Sequence, residues 1–76
     1  MEQFTRITHN IDVMGGKACI RGTRVTVGMI LILISEGFNM SELLDSYPYL
    51  TRDDIVDALR YAAWNVEARE SAINVA

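Results

Sequence analysis

The side chains with the widest chemical range in this 76-residue chain are its single cysteine, Cys19, and its single histidine, His9. With Asp12 they supply the residue types of a nucleophile, a base and an orienting carboxylate. Cys19 stands in the apolar stretch Ala18-Cys19-Ile20, where a thiol acts as a small core hydrophobe, and no oxyanion donor or pocket accompanies it. One cysteine makes no internal disulfide, and one cysteine with one histidine is too few ligands for a zinc site. Gly16-Lys17 has the centre of a phosphate-binding loop. That loop fails at Ile11, where its first glycine is needed, and at Ala18, where Ser or Thr is needed. A glycine turn accounts for the pair. The expectation is a binding protein rather than an enzyme, without cofactor or metal.

What remains for recognition is cationic and aromatic. Arg21 and Arg24 flank Gly22-Thr23, close after Lys17. Residues 1–24 hold four cations against two acids, a net +2, while residues 25–76 hold three against eight, a net −5. The overall −3 argues against a protein that coats nucleic acid without regard to sequence, but leaves room for a reader with a local basic patch. Tyr61 and Trp64, three residues apart, are residue types that anchor protein interfaces.

The elements that must carry these residues form one small domain. Residues 1–26 make a short β segment. Phe4 to Thr8 alternates apolar with polar, and Ala18 to Ile20 follows the Gly15-Gly16 turn; Gly22 leads the tight turn between Arg21 and Arg24. Residues 27–70 make a three-helix bundle. Thr26 caps Val27 to Glu36, which Gly37 stops. Ser41 caps a short helix from Glu42 to Ser46 or Tyr47, ended by Pro48. Thr51 caps the third, with Asp54 completing a capping box, and Ile55, Leu59, Ala62, Ala63 and Val66 give it a buried stripe through about Glu67. No start resembling a signal peptide and no apolar run of membrane-spanning length is expected, which suits a cytoplasmic protein.

This order is that of a helix-turn-helix, with the segment after Thr51 in the recognition position. Arg52, Val56 and Arg60 lie off its buried stripe and are expected to face a DNA groove, helped by Arg21, Arg24 and Lys17. Asp53, Asp54 and Asp57 suit the helix N-terminus and repel phosphate. Helix bundles of this kind also serve as interaction modules that never touch DNA.

The segment Gly15-Gly16-Lys17-Ala18-Cys19-Ile20-Arg21-Gly22-Thr23-Arg24-Val25-Thr26-Val27 resembles domain-of-unknown-function family 433, whose pattern there is G-K-P-x-I-R-G-T-R-[IV]-x-V. Glu36-Gly37, Leu43-Leu44, Tyr47-Pro48, Leu50-Thr51, Asp54-Ile55 and Ala58-Leu59 continue the likeness, which spans roughly residues 7–63. Ala18 departs from it, where the family has proline. The family is similar to VapB-like antitoxins. The resemblance implies a homeodomain-like trihelical fold, operator DNA as a ligand, and a PIN-like ribonuclease toxin encoded beside it as a partner; Tyr61 and Trp64, by residue type, are the candidate contacts for such a partner. About ten residues follow Val66, fewer than a wrapping inhibitory tail needs, so the folded surface is expected to do much of any inhibition.

The first helix is apolar nearly all round, and such a helix buries more than one face. A chain this small has little to cover it, so a symmetric dimer through Leu31, Leu33 and Ile20 is expected. Light scattering should therefore return a mass near twice the 8.5 kDa of one chain; 8.5 kDa from micromolar to millimolar concentration rules the dimer out.

Overall fold

The computed structural model describes residues 4–73, with side chains through residue 70. Residues 1–3 and 74–76, the outermost parts of the expected β segment and single domain, lie outside it. The chain runs through strand β1 (Ile7–His9), a 3-10 turn (Met14–Gly16), strand β2 (Ala18–Ile20), and helices α1 (Val27–Ser35), α2 (Met40–Ser46) and α3 (Arg52–Ile73). Three helices and an N-terminal two-stranded antiparallel sheet are thus present, as expected.

The ribbon starts later than its alternation suggests. Phe4 to Arg6 forms a turn closed by the Ile7 N–H on the Phe4 carbonyl at 3.0 Å, and the strands pair Ile7 with Ile20, Thr8 with Cys19 and His9 with Ala18. Side chains alternate across a strand, so Ile7, His9, Ala18 and Ile20 share one face while Cys19 takes the other. After β2 the Thr23 N–H reaches the Ile20 carbonyl at 3.0 Å. Gly22 is therefore the third residue of that turn rather than its leading one. Its φ of 77° is the left-handed conformation that position requires.

Local chemistry sets the helix ends. The Thr26 hydroxyl accepts from the Met29 N–H at 2.9 Å to start α1. Gly37, at φ 101°, ends it: the Phe38 N–H reaches the Leu33 carbonyl and the Gly37 N–H the Ile34 carbonyl, which makes a Schellman closure. α2 departs from expectation. Its cap is Asn39, not Ser41, with the Asn39 side chain accepting from the Glu42 N–H at 2.9 Å and the Glu42 carboxylate from the Asn39 N–H at 3.0 Å. At the start of α3, Asp54 Oδ2 accepts from the Thr51 N–H at 2.9 Å and Thr51 Oγ1 from the Asp54 N–H at 3.2 Å, the box that the sequence implies.

The core joins Phe4, Ile7 and Ile20 of the ribbon to Val25, Val27, Ile30, Leu43, Leu50, Ile55, Ala58 and Tyr61. The buried stripe of α3 is consequently Ile55, Ala58 and Tyr61, with Leu59 and Ala62 beside it; Ala63 and Val66 are exposed. The helix continues to Ile73, about three turns beyond its last core residue.

The α2 cap is directly testable. By chemical denaturation, Asn39→Ala should lose about 1 kcal/mol, whereas Ser41→Ala should stay within about 0.5 kcal/mol of the parent.

Candidate nucleic-acid interface

The cationic residues divide between two regions. Arg52 is the first residue of α3 and Arg60 lies two turns further on; both are exposed, with Val56 half-buried between them. Arg21 and Arg24 are exposed beside the β2 turn. Arg6, which no motif of the sequence marks, links the two groups. Its carbonyl accepts from the Arg21 N–H at 2.7 Å, while its guanidinium lies 3.3 Å from Asp54 and 3.9 Å from Asp53. The Arg21 turn is therefore one residue's reach from the N-terminus of α3.

Arg6 also changes the electrostatics of that end. Asp54 is mostly buried and serves the Thr51 cap with one oxygen and Arg6 with the other. Asp53 and Arg6 are solvent-exposed, so their wider contact is a weak pair. Two of the three carboxylates on the opening turns of α3 thus have a cation beside them, which lowers the repulsion that this helix end presents to an anion. Only long-range contacts brought Arg6 here; no sequence spacing connects residue 6 to residue 54.

An exposed aromatic completes the region. The Leu50 N–H bonds the Tyr47 carbonyl at 2.9 Å, which places Pro48 and Tyr49 at the tip of the turn before α3. Tyr49 is 62% exposed and meets Tyr47 edge-on, with ring centroids 6.3 Å apart. In the sequence Pro48 marks a helix stop and Tyr47-Pro48 belongs to the family likeness, while two tyrosines bracketing a proline are the visible signal of this aromatic tip.

Lys17 belongs elsewhere. It lines an apolar groove between α1 and the second half of α3, together with Met29, Leu31, Ile32, Val66 and Arg69. Val66 and Arg69 lie 14 and 17 residues along α3 from Arg52, about 20–25 Å at the helical rise. Lys17 is thus not part of the Arg21–Arg52 surface.

The aromatic pair expected at a protein interface also divides. Tyr61 is only 7% exposed: its ring meets Phe4 edge-on at 5.6 Å and its hydroxyl lies 3.2 Å from His9 Nε2. His9 Nδ1 lies 3.1 Å from the Gly16 carbonyl, which only accepts, so Nδ1 carries the proton and Nε2 accepts from Tyr61. Asn65 Nδ2 donates to the same hydroxyl at 3.3 Å, and Arg69 Nε to Asn65 Oδ1 at 3.1 Å. Tyr61 is a core residue with a satisfied hydroxyl, and only Trp64, at 43% exposure beside Phe4, offers a surface.

The three residues expected at a dimer contact separate in the same way. Ile20 is 2% exposed inside its own chain's core, and Leu33 is half-buried against that core, because the i, i+3, i+6 positions Val27, Ile30 and Leu33 of α1 face inward. Leu31 faces outward.

Cys19 and His9 lie on opposite faces of the ribbon, so they form no catalytic pair with Asp12. Among the described residues no group of His, Cys, Asp and Glu is arranged to hold a metal, and no helix is long and apolar enough to cross a membrane.

Comparison with known proteins agrees with this architecture. The family model described as "Protein of unknown function (DUF433)" matches residues 7–62. A crystal structure of a DUF433 member from Anabaena variabilis ATCC 29413 is 33% identical, with a TM-score of 0.78; the match covers 95% of this chain and 72% of that one. No curated protein matches. Matched through both strands, α1, α2 and the first half of α3, the chain belongs to the DUF433 family of proteins of unknown function.

Proposed function

We propose that this protein is a DNA-binding antitoxin: a homodimeric, homeodomain-like helix-turn-helix protein that represses its own operon and restrains a PIN-like ribonuclease encoded beside it. In this role it acts in the cytoplasm, binds rather than catalyses, and needs no cofactor. The toxin partner follows from the family's likeness to VapB-like antitoxins. The DNA-binding part is carried by one observation: Arg52 and Arg60 are exposed along α3, and Arg6 ties the Arg21 turn to the start of that helix.

In this role α3 enters the major groove by its N-terminal half, Arg52 and Arg60 meet phosphates or base edges, and Arg21 and Arg24 reach the flanking backbone. In the same role the exposed Tyr49 hydrogen-bonds phosphate at the groove's edge. The remaining acid of that end, Asp57, and the weakly paired Asp53 hold the affinity of the free dimer down, so the toxin complex binds the operator more tightly than the antitoxin alone. Trp64 is the aromatic that remains available to the toxin.

A second reading is a protein-interaction module of the same fold that does not bind DNA. The apolar groove between α1 and α3 favours it, since a contiguous exposed apolar patch marks a contact surface.

Fluorescence anisotropy against the protein's own upstream region, with and without the neighbouring gene product, separates the two. A phosphate-contacting arginine replaced by alanine should lower the salt slope by about one per monomer, and one reading a base should cost about 1–3 kcal/mol at a single operator position. If neither sample prefers the upstream region over random duplex, DNA binding is abandoned; if co-expression with the neighbouring gene gives no rescue of growth, the antitoxin role is.

A further inference from the structure

The outward face of α1 carries Gly28, Leu31, Ile32 and Ser35, all exposed, at the i, i+3, i+4, i+7 spacing of a helix contact stripe. Its order is small, large, large, small, and it reads the same from either end. The Ser35 hydroxyl already bonds the Ile32 carbonyl at 2.6 Å, so it brings no unmet polar demand to a contact. Gly28 is an ordinary helical residue, and a Cβ there would meet only Thr26 Oγ1, at 3.9 Å. Beside this stripe lies the groove floored by Ala62 and edged by Val66, with Lys17 and Arg69 among its lining residues and no carboxylate.

We infer that a second copy of this chain occupies the groove, its α1 antiparallel to the first and crossing between Leu31 and Ile32. The inference rests on the homodimer of the preceding section and specifies its interface. In this register Gly28 of each copy faces Ser35 of the other, and Leu31 faces Ile32. Glu36, at the C-cap, comes beside the start of the other α1, where Lys17 lines the groove. The charges are complementary, and each negative helix end meets a positive one. A parallel arrangement would instead place Glu36 against Glu36 and Lys17 against Lys17. At their fractional exposures, Met14, Met29, Leu31, Ile32 and Val66 leave on the order of 450 Å² of residue surface open per copy. Two copies with their polar rims thus bury on the order of 1,000 Å², the lower bound for a specific interface. A two-fold contact needs a self-complementary surface, which this stripe is.

Single cysteines at Gly28→Cys and Ser35→Cys test the register, since Cys19 is buried and stays out of the reaction. Under mild oxidation a mixture of the two variants, differing in tag mass, should give a disulfide-linked heterodimer, and neither variant alone should link. Ile32→Glu, at a site 53% exposed in one chain, should weaken dimerisation by about 100-fold or more in sedimentation equilibrium while the chain keeps its helical circular dichroism. High salt should weaken the parent dimer, and Lys17→Glu should weaken it further. Linking of Gly28→Cys with itself overturns the antiparallel register. A parent dimer that neither links in the mixture nor responds to Ile32→Glu overturns the α1 interface while leaving the dimer standing. A monomeric parent overturns both, and DNA binding is judged separately by anisotropy.

Discussion

Four side chains, one each from β2 and the three helices, hold this fold. Ile20 of β2, Ile30 of α1, Leu43 of α2 and Ile55 of α3 are its largest fully buried residues, and none of these elements is stable without the others. A two-stranded ribbon is marginal by itself, and helices of 9 and 7 residues are too short to persist in water. Each of these elements therefore contributes one anchor and receives three. The consequence for recognition is rigidity at a specific place: the ribbon cannot shift against α3 without opening the core. Arg6 and Arg21, which belong to the ribbon end, consequently keep their station beside the start of α3.

The same constraint explains which features could be read from residues alone. Caps are local, so Thr26, Gly37 and the Thr51–Asp54 box were legible, and so were the bounds of β2 and the start of α1, which ends at Ser35 with the expected last residue, Glu36, as its C-cap. The Asn39–Glu42 box has the same spacing and is visible in the sequence, whereas three residues after Ser41 stands Leu44, which cannot return the bond of a box. The phase of α3 was not local. Leu59, Ala62, Ala63 and Val66 make a credible helical stripe, yet the face that closes is set by Phe4 and His9, which approach Tyr61 from more than fifty residues away in sequence. Tyrosine is ambiguous by nature, since its ring is apolar and its hydroxyl needs partners; only the fold supplied His9 and Asn65. Ile20 and Leu33 misled for a related reason. An apolar residue in a small chain suits its own core and a partner's surface equally well.

For the candidate DNA-binding surface, residue types were legible and grouping was not. Exposed arginines on α3 and beside the β2 turn follow from their positions in the pattern. Their proximity follows from one backbone hydrogen bond, Arg21 N–H to Arg6 O, and one ion pair, Arg6 to Asp54. The exclusion of Lys17 likewise needed the fold, because in sequence it is nearer to Arg21 than Arg6 is.

The overhang of α3 has its own thermodynamics. Beyond Asn65, whose side chain still bonds the Tyr61 hydroxyl, the helix leaves the core behind, resting on its backbone ladder and on the Asn65–Arg69 side-chain bond. A stretch of that length without a packed face has a helix–coil equilibrium close to balance. Its amides therefore exchange with solvent through local opening, at a free energy below that of global unfolding, whereas those near Ile55 and Ala58 exchange only when the core opens. The chain thus contains two cooperative units along one continuous helix, and a molecule seated against the outer one adds order there without altering the core.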